Sequence, residues 1–140
     1  MYTRILVAVE HSDADQTILA HVRELAQKMG SSLLLVHVAD GWVARHYDEM
    51  QLRESEEMRD DREYLERVAT DLRQAGLAVD YRLAMGDPAA ELIRMAAEEK
   101  VDLIAMSTHG HRLIADLVHG TTVDKVRHEV RVPVLLLRAH

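Results

Sequence analysis

The sequence contains no cysteine, and this absence excludes two kinds of small protein. Neither a disulfide framework nor a zinc site built on thiolates is possible without that residue. No apolar stretch approaches the length of about 18 residues that suggests a membrane-spanning helix. The opening MYTRILVAVEHSD also lacks the long apolar segment and cleavage site of a signal peptide. We therefore expect a cytoplasmic protein.

A surplus of basic residues is also missing, since the 140-residue chain carries a net charge of −7. Nucleic-acid binding generally needs a basic face, so this composition disfavours it. The charge is unevenly distributed: residues 1–106 hold 12 basic and 21 acidic side chains, whereas residues 107–140 hold five basic and three acidic ones. The C-terminal quarter of the chain therefore repels an anion least.

The common catalytic motifs are missing as well. The sequence has no G-x-x-x-x-G-K-[ST], G-x-G-x-x-G, H-E-x-x-H or G-x-S-x-G pattern. Ser107, His109 and Asp116 lie too close together in sequence for the geometry of a hydrolase triad to be assumed. His109, His111 and His119 have no second histidine or carboxylate at helical i,i+4 spacing, which disfavours a metal site formed by protein ligands.

The chain does contain a regular alternation of apolar segments and helical patterns. Short apolar runs predict five strands, at residues 4–10, 32–38, 78–86, 101–107 and 132–138. Helical spacing of apolar residues predicts a helix ending at Gly30, one from Met58 to Gly76, one starting at Asp87-Pro88, and one from Thr121 to Val130. Such a chain forms one α/β domain over residues 1–140, a five-stranded parallel sheet with helices on both faces.

A loop with two of the six glycines follows the fourth predicted strand. Gly110 and Gly120 lack a Cβ atom, so backbone N–H groups there can approach an anion closely. The helix predicted at Thr121 would point its free N–H groups at this loop, and the hydroxyls of Thr121 and Thr122 would add donors. The pattern indicates a phosphate pocket, although a plain strand-to-helix connection has the same composition.

Over its whole length the chain resembles the universal stress protein family. VAVEHS resembles the family's first strand and turn, LVHV the end of the second strand, MGDP the turn before the third helix, and RVPVLLLR the last strand. The family's nucleotide-binding signature is Gly, two residues, Gly, nine residues, Gly, then Ser or Thr. Gly110, Gly120 and Thr121 match its last three defined positions.

The resemblance implies a three-layer, Rossmann-like fold of the type seen in adenine nucleotide alpha hydrolases, and ATP as the ligand, with magnesium carried by the nucleotide. The implied function is a stress-response switch or sensor. Since the sequence shows no evident set of a positioned lysine or arginine and a base, we expect at most slow, incidental ATP hydrolysis. Backbone groups around Val9 and Val38 would face the adenine, and Glu10 the base or ribose. The phosphates would face Gly110, His111, Arg112, Gly120, Thr121 and Thr122. The remaining implied nucleotide-binding residues are Ala8, Ser107 and His109.

Two positions depart from the nucleotide-binding pattern. Ser107 stands at the first glycine of the signature, and Glu10 at an acidic position that is usually Asp. A positive φ at Ser107 would cost roughly 1–2 kcal/mol, whereas an extended backbone would cost little and leave the hydroxyl able to help bind phosphate or ribose. These departures keep open a second function, that of a family member which has lost nucleotide binding and acts through protein partners.

The last predicted strand has consequences for assembly. An apolar strand at a sheet edge is an aggregation hazard, and pairing it with its copy in a second chain removes the edge. The family resemblance also implies dimerisation through this strand. We expect a homodimer whose interface is formed by Val132, Pro133, Val134, Leu135, Leu136 and Leu137.

Overall fold

The computed structural model describes the backbone of residues 1–40, 47–108 and 113–139, and the side chains of residues 1–39, 56–108 and 121–139. Strands and helices alternate along the chain. They are β1 (Arg4–Ala8), α1 (Asp15–Met29), β2 (Ser32–Asp40), α2 (Tyr47–Gln74), β3 (Val79–Gly86), α3 (Pro88–Glu98), β4 (Leu103–Thr108), α4 (Leu113–Glu129) and β5 (Val134–Arg138).

The strands form one parallel sheet in the order β3-β2-β1-β4-β5. β1 is central: Ile5 pairs with Leu33 of β2 on one side and with Leu103 of β4 on the other. The predicted five-stranded parallel sheet with helices is therefore confirmed. β3 and β5 are the two edge strands.

Two apolar clusters cover the two faces of the sheet. On one face α1 and α2 pack through residues such as Ile18 and Leu65, both fully buried. On the other face α3 and α4 pack through residues such as Leu92 and Val126. A fully buried Leu or Ile stabilises the fold by about 1.5–3 kcal/mol relative to an exposed one. None of the described helices has the length and apolar character needed to cross a membrane.

The boundaries of two helices differ from the prediction. α2 begins at Tyr47 rather than at Met58, and α4 begins at Leu113 rather than at Thr121. The first half of α2 is rich in Glu, Arg, Leu, Met and Gln, which favour helix even where no apolar stripe marks one face. In α4 the strong helix formers Leu and Ala precede Gly120, and one internal glycine costs only about 1 kcal/mol.

Local signals explain other boundaries. Gly30 ends α1 in the left-handed conformation, with a φ of 71°, and its N–H donates to Ala26 O. Asp87 caps α3: its carboxylate accepts a hydrogen bond from Ala90 N at 2.9 Å, and Pro88 occupies the first turn. Both positions were predicted, because C-cap glycine and first-turn proline are local features of the chain.

Candidate functional site

The candidate site lies at the carboxyl ends of the central strands, where the strand order reverses between β1 and β4. In open parallel sheets this switch point is where ligands bind. A cavity of about 160 Å³ with an open mouth lies there. It is lined by Ala8, Val9, Glu10, Val36, His37, Val38, Pro88, Leu92, Met106, Ser107, Thr122 and Val123.

The lining is mostly apolar with a few polar groups. Val36 and Met106 come from the sheet, and Leu92 and Val123 from the two helices on one face. Glu10, Thr122 and His37 contribute polar side chains. Apolar walls with a small number of oriented polar groups are the usual composition of a site that binds a ring system and a polar tail.

The structure gathers six of the predicted site residues in this cavity, namely Ala8, Val9, Glu10, Val38, Ser107 and Thr122. They meet there because Val9-Glu10, Val38 and Ser107 follow or end three adjacent strands, and Thr122 belongs to the helix that packs against them. The predicted residues His109, Gly110, His111 and Arg112 lie outside the described residues.

The predicted phosphate-binding helix terminus is corrected by the structure. Gly120, Thr121 and Thr122 are the eighth to tenth residues of α4, which begins at Leu113 and not at the predicted Thr121. In an α-helix each N–H group at such a position donates to the carbonyl four residues earlier. The N–H groups at 120–122 are therefore part of the helix rather than the free donors of its first turn. Thr121 is exposed and Thr122 half-buried.

The sequence left two conformations open at Ser107, a positive φ or an extended backbone, and the structure has the extended one. Ser107 belongs to β4 and has no positive φ. Among the described non-glycine residues, positive φ values occur at His11 and Lys100. Serine therefore replaces the signature glycine without backbone strain. Its side chain is 5% exposed, and no described group hydrogen-bonds its hydroxyl.

The turn that carries Glu10 is held by one buried carboxylate. Asp15 is 1% exposed and accepts hydrogen bonds from Glu10 N at 2.8 Å and His11 N at 2.9 Å. Tyr64 of α2 donates its hydroxyl to the same carboxylate at 2.5 Å. Burial raises the pKa of Tyr64 well above its ordinary value, and the bond to Asp15 raises it further, so this hydroxyl remains a donor at physiological pH.

A second carboxylate, Asp61 of α2, contacts two histidines beside the cavity. Its Oδ1 lies 2.7 Å from His11 Nδ1, and its Oδ2 lies 3.4 Å from His37 Nε2. The His11 ring also stacks on Tyr64, with the ring centres 4.1 Å apart. Asp61 and Tyr64, three residues apart on one helix face, thus tie α2 to the turn after β1 and to the end of β2.

His37 also changes the pairing of the two strands. Val9 N donates to Val36 O at 2.9 Å, which is the last rung between β1 and β2. The Val9 carbonyl is then bonded to His37 Nδ1 at 2.9 Å. The next rung of the ladder would run from Val38 N to Val9 O. Among the residues that the structure describes this rung is not formed, and the bond from His37 takes its place.

Sequence reasoning missed several of these groups. His37 lies in a predicted strand and is not among the predicted site residues, yet it lines the cavity. Asp61 lies on a helix whose neighbouring acidic residues, Asp60 and Glu63, are exposed. The contacts of Asp61 and Tyr64 join residues about 50 positions apart, so no local pattern in the sequence indicates them.

The chain is similar to known proteins over nearly its whole length. A model of the universal stress protein family matches residues 1–138. A universal stress protein of Thermus aquaticus is 33% identical over 144 residues, covering 99% of this chain and 100% of the relative. The universal stress protein MJ0577 of Methanocaldococcus jannaschii is 23% identical over 155 residues, covering 99% of this chain and 96% of the relative.

Solved structures share the fold. That of MJ0577 matches with a TM-score of 0.83 at 23% identity, covering 100% of this chain and 98% of the other. A universal stress protein in complex with cAMP matches with a TM-score of 0.70 at 20% identity, covering 98% and 97%. A universal stress protein from Archaeoglobus fulgidus in complex with dAMP matches with 0.67 at 23% identity, covering 96% and 97%.

Proposed function

Because the chain belongs to the universal stress protein family, we propose that it binds an adenine nucleotide, ATP, in the cavity at the switch point and acts as a stress-response switch or sensor. The observation that carries this proposal is that one cavity combines an apolar wall with the polar side chains of Glu10, after β1, His37 of β2 and Thr122 of α4. Two solved family members with bound cAMP and dAMP support the choice of an adenine nucleotide.

The end of β2 supports recognition of the base. Along β2 the backbone alternates: Leu33 N donates to Ala78 O on the β3 side, and Val36 O accepts from Val9 N on the β1 side. The N–H and C=O of Val38 therefore point to the β1 side, beyond the end of β1. A donor beside an acceptor is complementary to the edge of adenine that carries N1 and the 6-amino group.

The sugar and phosphates would occupy the more polar side of the cavity. The Glu10 carboxylate, which also accepts a hydrogen bond from Ser12 Oγ at 3.3 Å, is suited to accept from ribose hydroxyls. We assign the phosphates to the hydroxyl of Thr122 and to the segment with His109, Gly110, His111 and Arg112. Magnesium would enter with the nucleotide rather than in a site of its own.

We propose a binding rather than a catalytic role, with ATP hydrolysis slow and incidental. Efficient phosphoryl transfer needs a positioned base and cationic groups around the transferred phosphate. Near the cavity, the carboxylates of Asp15 and Asp61 are engaged in contacts that hold the fold.

A second candidate function is a protein-interaction module that binds no nucleotide. The start of α4 at Leu113 favours it, because the N–H groups at residues 120–122 then belong to the helix. The phosphates of a nucleotide would then lack the free N–H donors of a helix N-terminus at residues 120–122. The dipole at such a terminus contributes about 0.3–2 kcal/mol to anion binding.

The two candidates are separated by analysing the purified protein for bound nucleotide. We would denature it, identify released small molecules by HPLC, and titrate the nucleotide-free protein with ATP-Mg by calorimetry. Co-purified adenine nucleotide or micromolar binding supports the first proposal. Absence of both, with no heat at millimolar ATP, would contradict it and favour the interaction module.

A matched pair of variants locates the binding. Ala8→Leu adds volume to the cavity wall and is expected to weaken ATP binding at least tenfold, about 1.4 kcal/mol. Ala20→Leu makes the same change at an exposed position of α1 and should leave affinity unchanged. Equal affinities of the two variants would mean that ATP binds elsewhere.

A further inference from the structure

The contacts of His37 suggest a role beyond lining the cavity. In a regular parallel ladder, Val38 N would donate to Val9 O and extend the pairing of β1 and β2 by one rung. His37 Nδ1 bonds that carbonyl instead, at 2.9 Å, and the register of the two strands ends at Ala8 and Val36. A side chain thus stops the ladder at the point where the cavity begins.

The His37 ring is held in place from its other side as well. Its Nε2 lies 3.4 Å from Asp61 Oδ2, and its side chain is only 14% exposed. Asp61 is itself fixed by His11, whose ring stacks on Tyr64. The imidazole therefore lies between an oxygen of the sheet and an oxygen of α2, which restricts its rotation.

We propose that His37 is a positioning residue for base recognition: by occupying the Val9 carbonyl, it keeps the N–H of Val38 available for the nucleobase. This inference rests on the proposed function for its ligand, but it also makes a statement about the nucleotide-free protein. Without the imidazole, Val38 N–H has an acceptor within the sheet, and the base would have to displace it.

Three variants test this role. His37→Phe keeps a planar ring but loses the donor to Val9 O. His37→Asn places an amide nitrogen at the same number of bonds from Cβ as Nδ1, so it restores the donor while leaving Asp61 without its His37 contact. His21→Phe makes the aromatic change at an exposed position of α1 and serves as the control.

The first readout is amide hydrogen exchange at Val38 by NMR, without nucleotide. We expect fast exchange in the wild-type protein, in His37→Asn and in His21→Phe, and exchange at least tenfold slower in His37→Phe, where Val38 N–H pairs with Val9 O. A general loss of structure would accelerate exchange instead of slowing it. Equal exchange at Val38 in all four proteins overturns the proposal.

The second readout is ATP affinity by calorimetry. We expect His37→Phe to bind about tenfold more weakly, as for the loss of one hydrogen bond, and His37→Asn to remain within about threefold of the wild type. Equal weakening in both variants would show that the ring itself, not its bond to Val9, is what binding requires, and would overturn the proposal. If the wild type binds no ATP, the proposed function fails, and the Val38 exchange still decides whether His37 holds the strand end open.

Discussion

At the scale of single residues, the candidate site depends on two carboxylates, those of Asp15 and Asp61, that do not line the cavity. Asp15 orients the backbone of Glu10 and His11 from a position almost without solvent contact. Asp61 holds the two histidines beside the cavity. Glu10 lines the cavity, but the buried carboxylate of Asp15 behind it fixes the backbone from which its side chain extends.

This dependence gives a stability prediction for Asp15. Asp15→Ala should lower the free energy of unfolding by about 3 kcal/mol, because it leaves the N–H groups of Glu10 and His11 and the hydroxyl of Tyr64 without their acceptor. Urea denaturation monitored by circular dichroism measures the difference. Asp13→Ala, an exposed neighbour, should change it by no more than about 0.5 kcal/mol. Similar losses in the two variants would show that Asp15 is not the acceptor on which the turn depends.

At the scale of secondary structure, α4 is the element that most affects the proposed ligand. Its start at Leu113 places Gly120 in a helix interior, whereas a phosphate-binding loop would place it just before a helix. These two arrangements respond differently to a side chain at position 120, because alanine favours helix over glycine.

We therefore expect Gly120→Ala to stabilise the nucleotide-free protein by about 0.5–1 kcal/mol, measured as a shift of the urea midpoint. Gly30→Ala is the control in the opposite direction. Gly30 has a φ of 71° with open space around it, so backbone strain alone should destabilise this variant, by about 1–2 kcal/mol. Destabilisation by Gly120→Ala would contradict the expectation of a helical residue 120 that accepts a Cβ atom.

At the scale of the whole molecule, the two edges of the sheet differ in character. β3 carries the exposed charged residues Asp80 and Arg82, which discourage pairing with another strand. β5 carries Val134 and the leucines that follow it, all half-buried. This contrast supports the homodimer that the sequence and the family resemblance predict, with β5 as the shared edge.

Dimerisation should be visible in mass and in hydrogen exchange. Light scattering should give about twice the 15.9 kDa of the chain. Ala139 N donates to Thr108 O of β4, so the N–H groups of residues 134, 136 and 138 point away from β4 and should be protected in a dimer. The outward N–H groups of β3, at residues 81, 83 and 85, are the internal control and should exchange quickly. Rapid exchange at both edges, or a monomeric mass, would contradict pairing through β5.

Much of this fold could be predicted because its signals are local. Buried parallel strands are short, β-branched runs, and Gly30 and Asp87-Pro88 mark helix ends through the conformations they prefer. The first half of α2 could not be predicted in the same way, since no apolar stripe marks it. The start of α4 was missed for another reason: the apolar residues at 113, 114, 117 and 118 do fall at helical spacing, but Gly120 followed by two threonines also has the pattern of a helix start.

By itself, the sequence determined the alternation of strands and helices and the parallel sheet that follows from it, through periodicity and the rule of right-handed crossovers. Its resemblance to the family added Val9, Glu10, Val38 and Ser107 as candidates for a ligand site. Only the tertiary structure decided that Ser107 is extended, that Asp15 and Asp61 hold the turn after β1, and that His37 ends the pairing of β1 with β2. Such contacts join residues far apart in the chain, and their energies depend on burial and orientation, which no local pattern records.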